Sequence, residues 1–479
     1  MVVGELVQEC DVIVIGGGPG GYNAAIRAAQ LGRSVVIIEK EKLGGVCLHS
    51  GCIPSKVLAA AAAQLHMIGN SALFGIRTGE TEFDLAELTN HKNKVVNQLH
   101  AGVAALCKDN KIEIVHGSAY FLPGDRIAVE NGDHYEVFQY RNAIIATGST
   151  PVIPEVIPYD GERIFTGRSI TSIQIVPEKL LVYGSDYIAL ETAVSFKQFG
   201  ADVTIILEER KHDFSFDASI NRELKRILKK NGIKVIKDVA LQNVTVENAK
   251  VKIILQTEKE TLDLQGSHLC ISLASKPNLE ELGLDRIGVE MEGDGYVNID
   301  EQCRTSKSNV FAIGDVTAGP ALAVKAIKQG KTAAETIAGQ AAEVDLNLLP
   351  MIVHTIPPIA AAGLTEADAI TEGYEIVTSQ FPLAANGYAA IHDQRAGFVK
   401  VIFDKKNDIL LGVHIFGFGA VELISAGTIA MEMAARDEDL IFPHYPHPSV
   451  NEALLEAVEA IKGNAIHLAP PQRKEKVKS

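Results

Sequence analysis

The chain has 479 residues, 47% of them hydrophobic and 22% charged, a balance that excludes a disordered or fibrous protein. At roughly 150 residues per domain, this length requires about three domains and several cores. Acidic residues outnumber basic ones 60 to 45, and the net charge of −15 repels phosphate backbones and anionic lipid, so neither nucleic acid nor a membrane is an expected partner.

In chain order, Met1 to Asp11 carries Glu5 and Glu9 but no basic residue, so it lacks the positive flank of a secretory signal. Asp11 to Lys40 then reads as strand, Gly-rich turn, helix and strand. Val12 to Ile15 is β-branched, Tyr22 to Leu31 is Ala-rich, and Val35 to Ile38 is β-branched again. This is a parallel β-α-β unit. Leu58 to Leu65 is an Ala-rich helical piece broken by Gln64, and no uninterrupted apolar stretch approaches the ~20 residues that span a bilayer. A cytoplasmic location is expected. Asn142 to Gly148 predicts a buried strand ending in a Gly turn.

Leu180 to Glu208 repeats the first pattern, with a strand over Leu180 to Tyr183, Gly184, a helical stretch to Phe199, and a strand over Val203 to Leu207. Val310 to Asp315 predicts another strand with a Gly turn, returning the chain to the first module and making that domain discontinuous. Glu343 to Pro350 reads as a connection. Beyond it Phe398 to Phe403 and Leu410 to Ile415 alternate like antiparallel strands, and Ala420 to Arg436 and Val450 to Lys462 have apolar residues at helical spacing. Pro470 to Ser479 is polar, basic and Pro-led, and is expected to fray. The fold class is α/β: two Rossmann-like dinucleotide-binding modules plus a C-terminal α+β domain. The expected divisions are 1–150, 151–277, a return to the first domain over 278–345, and 346–479.

Gly16-Gly17-Gly18-Pro19-Gly20-Gly21 fits G-x-G-x-x-G through Gly16, Gly18 and Gly21, a turn that lets helix N-terminal N–H groups approach a pyrophosphate. Glu39 closes the second strand 23 residues after Gly16, where a carboxylate can take ribose hydroxyls. The plain alternative is a tight turn with a surface acid. Next comes Gly44-Gly45-Val46-Cys47-Leu48-His49-Ser50-Gly51-Cys52-Ile53-Pro54-Ser55-Lys56. Two cysteines five apart at a bent helical start can form a disulfide, and the helix dipole with nearby Lys56 favours thiolate on reduction. A zinc site would need a second ligand pair that the other cysteines do not supply, so no metal is expected. Cys10, Cys107, Cys270 and Cys303 stand alone and read as buried inert thiols. Six cysteines are too few for a secreted disulfide framework.

The run G-G-x-C-L-x-x-G-C-I-P-S-K behind a dinucleotide fold resembles the flavoprotein disulfide reductases, and its Ile-Pro-Ser-Lys ending looks most like the dihydrolipoamide dehydrogenases. The likeness runs nearly end to end. It takes in Ala146-Thr147-Gly148, Ala312-Ile313-Gly314-Asp315, and a C-terminal His-Pro-Ser with Glu452. The resemblance implies FAD across the first module, with Thr147, Gly148, Gly314 and Asp315 among its contacts and Asp315 holding the ribityl chain. It implies that Cys47 exchanges with substrate and that Cys52 faces the flavin as charge-transfer thiolate. Lys56 would sit near flavin N5 with Glu191 as its partner; on residues alone Glu191 reads equally well as a solvated helix residue. His447 would be the base that takes a proton from a dithiol, with Glu452 orienting its other nitrogen, although a His beside Pro is more often a surface or capping residue. Relatives bring this His to the disulfide of the other subunit, which makes the C-terminal domain a dimerisation domain and the protein a homodimer. One departure is local: the family's His two positions before His447 is Tyr445 here, and His444 is displaced by one.

The second module departs further. It reads Gly184-Ser185-Asp186-Tyr187-Ile188-Ala189, with Asp186 where the close-approach Gly belongs. The position 23 residues after Gly184 is Leu207, and Glu208 is one step off register, which on a strand turns it to the other face. The family's Gly-Arg before Pro-Asn is absent, replaced by Ala274-Ser275-Lys276-Pro277-Asn278. Arg210 and Lys211, which could favour a 2′-phosphate, follow two acids, Glu208 and Glu209. The sequence therefore predicts intact FAD and disulfide chemistry with nicotinamide binding weak, altered or lost. The function expected is oxidation of dihydrolipoamide or a similar dithiol, free or on a lipoyl domain, through Cys47 and Cys52 to FAD. The acceptor is NAD by the family rule, or else a quinone, a protein or another disulfide. A low-turnover FAD-bound scaffold is the alternative from another class, and it has no need of Cys47, Cys52, Lys56 and His447 together. Mercuric reductase and large thioredoxin reductase would need a C-terminal cysteine pair, and no cysteine follows Cys303.

Overall fold

The computed structural model describes residues 7–209 and 211–469; Arg210 and the basic tail Pro470 to Ser479 lie outside the described residues. The chain divides into two units. One runs up to Pro177 and includes Asn243–Ile253 and Gln265–Leu346. The other takes Glu178–Gln242, Ile254–Leu264 and the chain from Asn347 onward.

The first unit opens with β1 (Val7–Ile15), whose last four residues are all buried, as suits a strand covered on both faces. α1 (Pro19–Gln30) starts with Pro in its first turn, where a missing N–H is lost at no cost, and buries Gly20, Gly21, Ala24, Ala25 and Ala28. β2 (Val35–Glu39) runs parallel to β1 with Val12 opposite Val35. Two consecutive helices follow, α2 (Gly45–His49) and α3 (Cys52–Gly69). β3 (His134–Ile145) lies parallel to β1 on its other side. In the second unit, β4 (Lys179–Tyr183), α4 (Tyr187–Gln198) and β5 (Asp202–Ile206) repeat the β-α-β pattern, with β5 parallel to β4. The chain later rejoins the first unit's sheet through β6 (Val310–Ala312), parallel to β3 at Ala143–Ile145, and continues into α5 (Ala323–Ile337).

The first sheet thus runs in the order Glu113–His116, β2, β1, β3, Arg126–Asn131 and Ser118–Leu122, with β6 also on β3. Its two faces bury separate apolar cores, one holding Ile13, Phe121 and Phe138, the other Val12, Ile37 and Ile144. α1 and α5 meet backbone to backbone: a Cβ on Gly330 would lie 2.5 Å from the Gly20 carbonyl oxygen. Between the two cysteine helices the chain leaves helical geometry at Ser50 and Gly51. By length and composition alone, Gly45–Gly69 is apolar enough to cross a membrane, although Ser50, Lys56, Gln64 and two His interrupt it.

The C-terminal part of the second unit is a five-stranded antiparallel sheet in the order Met351–Val353, Ile359–Gly363, Leu410–Gly417, Gly397–Asp404 and Ile376–Pro382. Ala420–Glu432 and α6 (Glu452–Ala460) bury their apolar sides in its core. The helix expected to reach Arg436 stops at Glu432, because Ala434 takes a left-handed φ of 50° and Arg436 bridges to Ile409.

Candidate active site

The Gly16 turn is shaped by sterics at each glycine. Gly16 has φ +101°, where a Cβ would strike the Ala146 carbonyl oxygen at 2.4 Å, and a Cβ on Gly21 would overlap the Gly16 oxygen at 1.9 Å. Gly18 differs: a Cβ there would meet nothing within 4 Å, and it caps α1 without any side-chain hydrogen bond. The first-turn N–H groups of α1 therefore face open backbone surface, as an anion site needs. Glu39 is buried, and its carboxylate accepts from the Gly17 N–H at 2.6 Å and the Glu41 N–H at 2.7 Å. The acid is fixed against the turn, which excludes the plain surface reading.

Cys47 on α2 and Cys52 at the start of α3 are half-buried and in contact with each other. The Cys47 thiol is pushed far above its ordinary pKa, first by that contact with Cys52 and then by burial, while Lys56 pulls weakly the other way. Lys56 acts in the direction the sequence predicts, toward thiolate, but at Cys47 the contact with Cys52 and burial outweigh it. A Cβ on Gly51 would lie 3.0 Å from the Val46 carbonyl oxygen, so the bend that brings the sulfurs together leaves little room for a side chain. Cys10, Cys107, Cys270 and Cys303 are all buried, and burial raises the thiols of Cys10, Cys107 and Cys303.

The later turns of the same unit meet around Ser149. Thr147 Oγ1 donates to the Asn278 carbonyl at 2.7 Å, and the Asn278 N–H donates to the Gly148 carbonyl at 2.9 Å. Ser149 Oγ donates to Asp315 Oδ2 at 2.7 Å, and Arg168 donates to both Ser149 Oγ and its carbonyl. Gly314 has φ +73° and gives its N–H to the buried Gln329 Oε1 at 2.7 Å. Sequence reasoning missed Gln329, Arg168 and Lys325. Lys325 is fully buried with its Nζ donating to the Thr317 and Ala318 carbonyls, and burial lowers its pKa to about 8 against the opposing pull of Asp315. Its place in the helix-spaced run after Gly319 gave it no sequence signal.

The open Gly18 surface, the fixed Glu39 carboxylate and the Asp315 cluster all fit a dinucleotide laid across the first module. No group of three or more His, Cys, Asp or Glu suited to a metal occurs among the described residues.

In the second unit, Glu191 on α4 is only 4% exposed and accepts the His354 N–H at 2.8 Å. The solvated reading of Glu191 is thereby overturned. His447 is 81% exposed, and its Nδ1 lies 2.8 Å from Glu452 Oε1, while Glu452 Oε2 accepts from the Ser449 N–H at 2.9 Å. Burial works to raise the Glu452 carboxyl, but the bonds from His447 and Ser449 outweigh it and hold it below the usual carboxylate range. An ionised Glu452 accepts from Nδ1–H and leaves Nε2 free of that proton. Tyr445, in place of the family's His, donates to the Leu440 carbonyl at 2.8 Å.

Glu208 is not turned away as strand register predicts. β5 ends at Ile206, and beyond it Glu208 swings back so that Ser185 Oγ donates to its Oε1 at 2.6 Å. Alternation holds only within a strand.

The family model for a pyridine nucleotide-disulphide oxidoreductase matches residues 10–330, and the model for that family's dimerisation domain matches residues 349–458. The chain belongs to the pyridine nucleotide-disulphide oxidoreductase family. It is 38% identical over 468 residues to dihydrolipoyl dehydrogenase of Geobacillus stearothermophilus, covering 98% of this chain and 99% of that one. It is 38% identical over 469 residues to the enzyme of the same name from Bacillus subtilis, covering 98% and 100%. In fold it is similar to LpdA from Mycobacterium tuberculosis, with a TM-score of 0.88 at 24% identity over 95% of this chain and 100% of that one. The flavoprotein disulfide reductase RclA from Escherichia coli gives a TM-score of 0.82 at 24% identity over 94% and 99%. The protein is accordingly an FAD-dependent disulfide oxidoreductase, and its dimerisation domain indicates a homodimer.

Proposed function

We propose that the protein oxidises dihydrolipoamide, free or on a lipoyl domain, at Cys47 and Cys52. The observation that carries this reading is the contact between Cys47 on α2 and Cys52 at the start of α3, two half-buried sulfurs brought together by the bend at Gly51. In this reading Cys47 is the sulfur that exchanges with substrate and Cys52 the sulfur toward the cofactor. In the oxidised pair, a substrate thiolate attacks Cys47 Sγ, the Cys47–Cys52 bond breaks, and Cys52 leaves as thiolate. The second substrate thiolate then displaces Cys47, closing the cyclic disulfide product, and Cys47 takes up a proton. Two electrons pass from the dithiol to the cysteine pair; FAD, when bound, accepts them.

His447 takes the substrate proton on Nε2 and returns it, with Glu452 holding Nδ1. The exposure of His447 suits service to Cys47 of the partner subunit. Gly16, Gly18, Gly21, Glu39, Thr147, Gly148, Gly314 and Asp315 would hold FAD, and we assign Lys56 and Glu191 to its reactive side. The domain layout that goes with this reading is 1–150 and 278–345 for FAD, 151–277 for the second module and 346–479 for dimerisation, in a protein of the cytoplasm.

The test is anaerobic mixing of the purified homodimer with dihydrolipoamide, followed in the visible spectrum. A long-wavelength thiolate-to-flavin band is expected. An unchanged spectrum at saturating dithiol overturns the reading.

A further inference from the structure

We propose that the second β-α-β module does not take a nicotinamide dinucleotide, and that Asp186, Leu207 and the Ser185–Glu208 contact exclude it. This concerns the acceptor side of the reaction proposed above and rests on that reading only for what a reduced flavin means; binding is tested separately.

The two turns have the same backbone, so their residues can be paired by geometry. The Gly16 N–H donates to the Ile38 carbonyl at 2.8 Å, and the Gly184 N–H to the Ile206 carbonyl at 2.9 Å. Both glycines have positive φ, +101° and +151°. The helix caps agree as well, Gly18 at φ −66°, ψ −176° and Asp186 at φ −79°, ψ 176°. Gly18 therefore corresponds to Asp186, and Glu39 to Leu207.

At Gly18 the surface is open and the first-turn N–H groups carry no side-chain cap. At Asp186 a carboxylate fills that place and accepts the Ala189 N–H at 2.8 Å. One donor that a diphosphate would use is consumed, and a negative charge stands where the diphosphate's own charge would lie. Leu207 is fully buried and offers a ribose no acceptor. Glu208, the nearest acid, is held by Ser185 Oγ, and its other oxygen is buried without a hydrogen-bond partner among the described residues. Ser185 stands where the first module has Gly17, whose N–H meets Glu39 directly. Each of the three features a dinucleotide needs at this turn is replaced by one that closes it.

The experiment titrates NADH into the full-length, FAD-loaded homodimer by calorimetry, and separately mixes the two anaerobically while flavin absorbance is recorded. Wild type is expected to show no saturation below the millimolar range and no bleaching. Asp186→Gly combined with Leu207→Glu is expected to tighten NADH binding at least about tenfold. Asp186→Asn, which keeps the cap but not the charge, is expected to gain part of that if the double variant folds poorly. Micromolar NADH binding with bleaching in wild type overturns the proposal. So does a double variant that is folded and FAD-loaded yet still does not bind. Reduction by dihydrolipoamide in a parallel sample reports on the dithiol reading alone, so the two fail independently.

Discussion

In the reaction proposed above, a single hydrogen bond sets the reactivity of His447. Because the ionised Glu452 holds Nδ1–H, Nε2 is the nitrogen available as base, and His447→Gln keeps the shape while removing the proton acceptor. Dithiol-dependent turnover is expected to fall by about 10²–10⁴-fold, with the FAD spectrum unchanged, as read by stopped-flow reduction. Lys325 makes a prediction of the opposite kind, about stability. Its pKa of about 8 lies below the unfolded value of 10.5, so the folded state carries the cost of a buried charge below pH 8. That cost is relieved as pH rises, because between those two values the unfolded chain binds the proton that the folded chain has lost. Denaturation midpoints are therefore expected to gain a rising contribution from about pH 8 to 10.5, and Lys325→Met is expected to remove it. A midpoint slope identical in the two proteins across this window would contradict the assignment.

At the scale of elements, the contact between α1 and α5 positions the Gly16 turn. With Gly330 pressed to the Gly20 carbonyl, Gly330→Val forces the helices apart and displaces the helix whose N-terminus would face the cofactor. The expected cost is about 1–3 kcal/mol of stability together with reduced FAD content, measured by melting and by the flavin-to-protein absorbance ratio. The strands, both Gly turns and the cysteine pair were legible in the sequence because period, glycine chemistry and spacing are local. What was not legible depends on distant partners. Lys400 looked like an ordinary strand residue, yet it is buried with Asp217 at 2.7 Å, 183 positions away in sequence. Glu208 was misread because a strand rule was carried two residues past the strand's end.

At the scale of the whole molecule, the two-subunit site proposed above predicts complementation. In a hybrid of a Cys47→Ser chain with a His447→Gln chain, one composite site loses both groups and the other keeps both. Random mixing of the two inactive homodimers is expected to restore about a quarter of wild-type dithiol oxidation, since half the dimers are hybrids with one good site. Recovery of none would place Cys47 and His447 in the same subunit's site. The return of β6 to β3 also dictates an order of events during synthesis. β3 is complete at Ile145, but the strand that covers its last three residues begins at Val310. At roughly 5–20 residues per second, the ribosome leaves that strand edge uncovered for about 10–30 s while the second module is being made. The sheet of the first unit thus closes only after the chain inserted into it has emerged.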